Sequence, residues 1–320
     1  MGLANVNTGL RQKPKFSVAV QTDGYQKLIN NTLGDPERAK RFVAAITSAV
    51  AVNPALQECD AGSILAGALL GESLNLSPSP QLGQYYLVPF KNRVKGPDGK
   101  VVYKTDSEGN KLKDDKGRWI PETESKAQFV IGFRGLLTLA IRSGQYADID
   151  VIEIRQGEYL GKDKHTGKPQ FEFIEDDDKR EELPVIGYMA YFEYLNGFKK
   201  TLYWSKEKML KHANKYSAAF NAEDYEKFVD GEVPEKDAWK YSSYWYQDFD
   251  GMARKTMLRQ LITKWGITSI EMQTAVTKDE ALTTFDGTEI VTAEAESAPV
   301  VEIAQPEYVA VATQVNLDDL

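Results

Sequence analysis

Asn196-Gly197 sits between two long apolar runs, Pro184–Leu195 and Phe198–Trp204, and constrains the fold more than any other feature of the chain. An Asn-Gly pair takes the positive φ angles of a two-residue reverse turn whose twist matches that of paired strands. The two runs are therefore expected to pair antiparallel. Ile149–Arg155 alternates as a third strand, and Gln84–Phe90 and Ala127–Phe133 read as two more. The helical patterns do not alternate with these strands. They cover Tyr25–Val52 (with Pro36 near a helix start), Ala61–Leu74 behind Asp60, and Arg134–Ser143 closed by Gly144. Two more run from Ser205 to about Tyr216 and over Gly251–Trp265. That order predicts an α+β fold with an antiparallel meander and hairpin core packed with helices, not a doubly wound sheet.

Three further segments complete the expected organisation. Residues 1–24 mix Gly, Asn, Gln, Thr and Lys without periodicity and read as a flexible N-terminal arm. Residues 25–280 form the main domain, with Lys91–Lys126 as an inserted flap of one or two exposed hairpins, since Asp98-Gly99, Gly109-Asn110 and Lys116-Gly117 all signal turns. Residues 281–320 read as a disordered acidic tail. No internal repeat stands out.

Composition excludes several classes. No run of 18 apolar residues predicts a membrane span, and no export signal opens the sequence, so a cytoplasmic protein is expected. The single cysteine, Cys59, forbids an internal disulfide, and with His165 and His212 far apart it does not make a Cys/His zinc set. No phosphate-binding Gly-rich loop or nucleophile elbow is present. Asp176-Asp177-Asp178 with Glu172 and Glu175 is the one stretch open to a metal-dependent nuclease reading, and a solvated polar loop is the plainer one. A non-enzyme without catalytic or metal residues is expected.

The net charge of −8 is unevenly placed. From Lys278 to the end, ten acids stand against one lysine, a net of −9, so the preceding 277 residues carry +1. A near-neutral body can hold a local basic groove. Cations recur at the ends of the expected elements: Lys91 and Arg93, Arg134, Arg142, Arg155, Lys199 and Lys200, then Arg254, Lys255, Arg259 and Lys264. Tyr85, Tyr86 and Phe133 lie beside them as rings that could stack on bases. In the last long helix Leu258, Leu261, Ile262 and Trp265 share a face bordered by Lys255 and Arg259. Arg254 projects from the middle of that apolar face, where it either snorkels outward or meets an anion.

The wording of these segments resembles the RecT family of phage and prophage single-strand annealing proteins. The similar stretches are QYYLVPFK at 84–91, QFVIGFRGLLTLAIRSGQY at 128–146, VIEIRQGE at 151–158, Tyr203–Lys206 and Met252–Ser269, spanning about Leu56–Glu280. The flap and the Ala218–Ser243 stretch are longer than in compact members. The resemblance implies binding of single-stranded DNA by its backbone, oligomerisation as ring or filament, and annealing through a duplex intermediate. ATP is not implied, and Mg2+ enters only as a stimulant that screens the two strands. It carries DNA binding onto Lys91, Arg134, Arg142, Arg155, Arg254, Lys255 and Arg259, with Gln128 as a neutral donor. A companion exonuclease and a host single-strand-binding protein are the implied partners. A structural phage protein that assembles without DNA is the alternative from another class.

Overall fold

The structure, a computed structural model, describes residues 14–279 except 97 and 218, together with 282–285 and 290–293. The chain opens with α1 (Phe16–Ala19), α2 (Asp23–Leu33) and α3 (Pro36–Ala51). Asp35 accepts the Glu37 N–H at 2.9 Å and Pro36 fills the first turn, so α3 starts where its sequence says it should. Its Phe42, Ile46 and Val50 are buried at helical spacing. The expected arm is corrected in part: Phe16, Ala19 and Val20 are core residues, the apolar side of a four-residue helix and the residue that follows it. Residues 1–13 lie outside the described residues.

After the short α4 (Pro54–Gln57) comes α5 (Ala61–Ser73), capped by Asp60 through the Ser63 N–H at 2.9 Å. This helix is buried on almost every side. Its small residues admit β1 (Tyr85–Arg93) closely, and at Gly71 a Cβ would meet the Tyr85 ring at 2.3 Å. Strand β2 (Thr123–Ile131) pairs antiparallel with β1, from Tyr85 opposite Ile131 to Arg93 opposite Thr123.

The flap joining these strands is neither one hairpin nor two. Three tight turns close at Gly96–Lys100, Asp106–Asn110 and Asp114–Arg118. Between them the backbone forms two closed rings of hydrogen bonds. In the first, Val102 N–H donates to Val94, Glu122 to Val102 and Val94 to Glu122, each at 2.9 Å. In the second, Leu112 donates to Lys104, Ile120 to Leu112 and Lys104 to Ile120. The flap is thus a three-sided module with positions 104, 112 and 120 at equal spacing.

Helix α6 (Phe133–Arg142) leads into a three-stranded antiparallel sheet of β3 (Tyr146–Arg155), β6 (Val185–Tyr194) and β7 (Lys199–Ser205), with β6 central. The Asn196-Gly197 signal does join β6 to β7, but as a three-residue loop, Leu195–Gly197, in which Gly197 and not Asn196 takes a positive φ. The Tyr194 N–H donates to the Phe198 carbonyl at 2.8 Å, and Asn196 Oδ1 accepts the Phe198 N–H at 3.0 Å. The polar stretch between β3 and β6 is not an open loop. It holds the hairpin β4 (Tyr159–Lys162) and β5 (Pro169–Phe171), then α7 (Asp177–Glu182). Asp176, from the acidic triplet, caps α7 and pairs with Lys179 at 2.6 Å.

The remaining helices are α8 (Lys206–Tyr216), α9 (Ala222–Val229), α10 (Tyr244–Gln247), α11 (Phe249–Trp265) and α12 (Ile270–Lys278). Helix α11 lies across the three-stranded sheet and buries Ala253, Met257, Leu258, Leu261 and Ile262. Beyond α12, β8 (Leu282–Phe285) and β9 (Ile290–Ala293) form an antiparallel hairpin, with β8 against α5 and β2. The expected tail is corrected there: the runs 282–285 and 290–293 are rich in β-branched residues, which favour strands whatever the acids around them. Residues 294–320 lie outside the described residues. The architecture is α+β, with antiparallel sheets throughout.

Candidate nucleic-acid interface

The start of α6 is built on a close approach of backbones. The Gly132 N–H donates to the Gln84 carbonyl at 2.8 Å, and a Cβ at Gly135 would sit 2.0 Å from that oxygen. Two glycines therefore let the helix press against residues 83–84, which sets the exposed Arg134 beside Tyr86. Burial raises the Tyr86 phenol above its ordinary range, Arg134 counters this, and Asp248 adds to it. Tyr86 and Arg134 form one corner of the candidate surface. Lys91 and Arg93 form another, exposed at the end of β1 where the flap begins.

Other expected contacts fall inside the protein. Tyr85 is 1% exposed and stacks on Phe129 with centroids 5.1 Å apart, so it is a core ring and not a platform for bases. Gln128 is 6% exposed, out of reach of a backbone lying on the surface. Phe133 packs against the core as a partly buried ring.

Several expected cations have protein partners. Arg142 Nη1 donates to the Asn75 carbonyl at 2.8 Å and reaches the Leu74 carbonyl at 3.3 Å, closing the end of α5. Glu153 is shared by two arginines: Arg155 Nη2 lies 3.2 Å from one carboxylate oxygen, and Arg254 Nε lies 3.7 Å from the other. The anion that Arg254 meets on the apolar side of α11 is therefore the protein's own. Arg155 Nη1 also donates to the Leu183 carbonyl at 3.0 Å. Beside them, buried Glu158 accepts from Arg180 at 2.6 Å and from the Arg155 N–H at 2.7 Å. Arg259 donates to Asp279 at 2.6 Å, and the other oxygen of that buried carboxylate accepts the Ile131 N–H at 2.9 Å. This clamp ties α11, the end of α12 and β2 together. Lys199 pairs with Glu193 at 2.6 Å on the sheet edge.

Charge without a counter-ion gathers elsewhere, on α8, β7 and the end of α11. Lys200 lies over the Trp265 ring at 3.7 Å, and Lys208 over Trp204 at 4.3 Å. His212 packs between Trp204 (5.2 Å) and Tyr216 (4.6 Å). Trp265, expected on the buried face, is 48% exposed, although its carbonyl accepts from the Tyr194 hydroxyl of β6 at 3.2 Å. Burial, followed by Lys264 and Lys162, lowers the Lys208 ammonium below its ordinary range. Burial, followed by Arg259, Lys208, Lys215 and Lys264, lowers the His212 imidazole. Among the described residues, no ion pair joins Lys162, Lys200, Lys208, Lys215 or Lys264 to a carboxylate.

Of this cluster the sequence reading picked out only Lys200 and Lys264. The signal for the rest was present: Lys208, His212 and Lys215 stand at i, i+4 and i+7 and make one stripe on a helix. Among the described residues, the expected cations Lys91, Arg93, Arg134, Lys200, Lys255 and Lys264 have no carboxylate partner and, unlike Arg142, are not held by backbone carbonyls. Cations of this kind beside exposed rings suit a single-stranded polyanion. Among the described residues, no three His, Cys, Asp or Glu side chains are grouped to hold a metal, and no helix is long and apolar enough to cross a membrane.

Comparison with known proteins gives one consistent result. The model of the RecT family matches residues 40–296. The chain is 32% identical over 303 residues to the uncharacterized protein YqaK of Bacillus subtilis (strain 168), covering 91% of this chain and 84% of that protein. It is 26% identical over 248 residues to protein RecT of Escherichia coli (strain K12), covering 76% of this chain and 71% of that protein.

Proposed function

The chain belongs to the RecT family, a family of recombination and annealing proteins, and on that basis we propose that it anneals complementary single strands without ATP. One observation supports this reading above the others: among the described residues, a cation without a counter-ion, Lys200, lies over the exposed Trp265 ring, with Lys264 beside that ring in the chain. Lysine and arginine hold a first strand by its phosphates, because only backbone contacts are indifferent to sequence. The bases stay free to test a second strand. Pairing and stacking of about 1.4 kcal/mol per step then supply the specificity, so recognition belongs to the DNA. Lys91, Arg93, Arg134, Lys200, Lys255 and Lys264 are the contacts that the geometry favours, with Tyr86 as the ring nearest a cation of the α6 corner. Subunits lie side by side so that these patches join into a groove. The acidic residues beyond α12 dock a companion exonuclease or the host single-strand-binding protein.

The test is annealing of two labelled complementary oligonucleotides, without nucleotide, at two salt concentrations, with a non-complementary control. Salt-sensitive annealing with both strands intact is expected. Lys255→Ala should lower the log–log salt slope of strand binding by about 0.7, the value for one phosphate contact. Metal-dependent strand loss would make the protein a nuclease, and oligomers indifferent to DNA would make it an assembly protein.

A further inference from the structure

We propose that the exposed face of α8 is a second phosphate-binding wall for the single strand, in which Lys208, His212 and Lys215 act with Lys264 of α11. The inference rests on the single-strand reading above and adds residues to it.

Like charges at close range oppose one another unless an anion lies between them. Here the charged groups acting on the His212 ring are Arg259 and Lys264 of α11 and Lys208 and Lys215 of α8. From β7 it meets the Trp204 ring, and from its own helix the Tyr216 ring. Glu207, the nearest acid in the same helix, is held by Lys211 on the neighbouring stripe. Arg259 is already clamped to Asp279. What remains is an array of cations on exposed surface, with Tyr216 68% exposed at its edge. A phosphodiester chain supplies the missing anions at repeated spacing, and its bases can meet the Tyr216 and Trp265 rings.

His212 gives this wall a signature that simple lysines lack. In the free protein burial first, and then the neighbouring cations, lower the imidazole below its ordinary range. A phosphate placed among those neighbours reverses the local potential and favours the imidazolium, so binding takes up a proton. Linkage then sets the sign: affinity must rise as pH falls towards the range where imidazole protonates.

The experiment measures binding of the full chain to a fluorescent oligothymidylate at about pH 8 and about pH 6 and at several salt concentrations. Wild type is expected to bind severalfold more tightly at the lower pH. His212→Gln should remove most of that pH dependence, and His165→Gln should leave the dependence intact. Lys208→Ala with Lys215→Ala should reduce the salt slope by about 1.4, and Lys208→Arg with Lys215→Arg should restore it, which separates lost charge from lost folding. Unchanged pH dependence in His212→Gln, or an unchanged salt slope in the alanine pair, overturns the α8 wall and leaves the annealing reading standing. Absence of oligothymidylate binding by the wild type overturns both.

Discussion

Arg259→Ala separates a DNA contact from a structural clamp. Arg259 and Asp279 meet at 2.6 Å, and the Asp279 side chain is fully shielded from water while that of Arg259 is 33% exposed. Removing the arginine leaves a buried carboxylate that, among the described residues, keeps the Ile131 N–H at 2.9 Å. Breaking a fully buried pair in this way costs about 3–5 kcal/mol. Because Arg259 keeps contact with water, screening reduces this to about 2–3 kcal/mol. For a domain of this size that corresponds to a fall in Tm of roughly 5–10 °C. Urea unfolding followed by tryptophan fluorescence measures it directly. Adding Asp279→Asn in the same chain should recover part of the loss, since the amide oxygen still accepts from Ile131 and no unpaired charge remains. A single variant within about 0.5 kcal/mol of wild type, or a double variant no more stable than the single, would refute the clamp.

Two more predictions concern stability. Burial alone would raise the Glu158 carboxyl, but Arg180 and the Arg155 and Ile174 amides outweigh it and hold it below the usual carboxylate range. Its contribution is therefore present above that usual range and is lost as pH falls through the lowered one. Glu158→Gln should lower the urea midpoint near pH 7 and flatten its decline on acidification, and an equally steep decline would show that Glu158 is not the titrating group. Gly135→Ala places a methyl 2.0 Å from the Gln84 carbonyl and 2.9 Å from Ile131, so it should destabilise by about 1–3 kcal/mol despite the better helix former. A rise in Tm would mean that α6 does not press on residues 83–84.

The parts of the fold that could be read from the chain are those set by local chemistry. Asn196-Gly197 marks its own turn, Asp60 its own cap, and the Leu258, Leu261 and Ile262 stripe its own burial. What escaped reading depends on residues distant in sequence. Arg254 reads as a DNA contact until the fold brings Glu153 of β3 beside it, and Arg259 until Asp279 reaches it from 20 residues away. Tyr85 and Gln128 read as surface groups because strand ends look alike whether they cross a core or leave it. His212 gave no sign of importance alone. Its meaning lies in the two rings and the lysines that surround it.

The chain enters and leaves the flap through one antiparallel step, Arg93 opposite Thr123, and each ring of the flap closes upon itself. Such a unit is joined to what carries it at a single place. A residue gained or lost at the exposed Gly109 or Gly117 turn, where a side chain would meet nothing within 4 Å, leaves the hairpin below unchanged. Tolerance to sequence drift therefore rises steeply along a single pair of strands, from the sealed end at Ile131 to the open turns of the flap. The outer end can diverge in what it touches at a pace the rest of the domain cannot match.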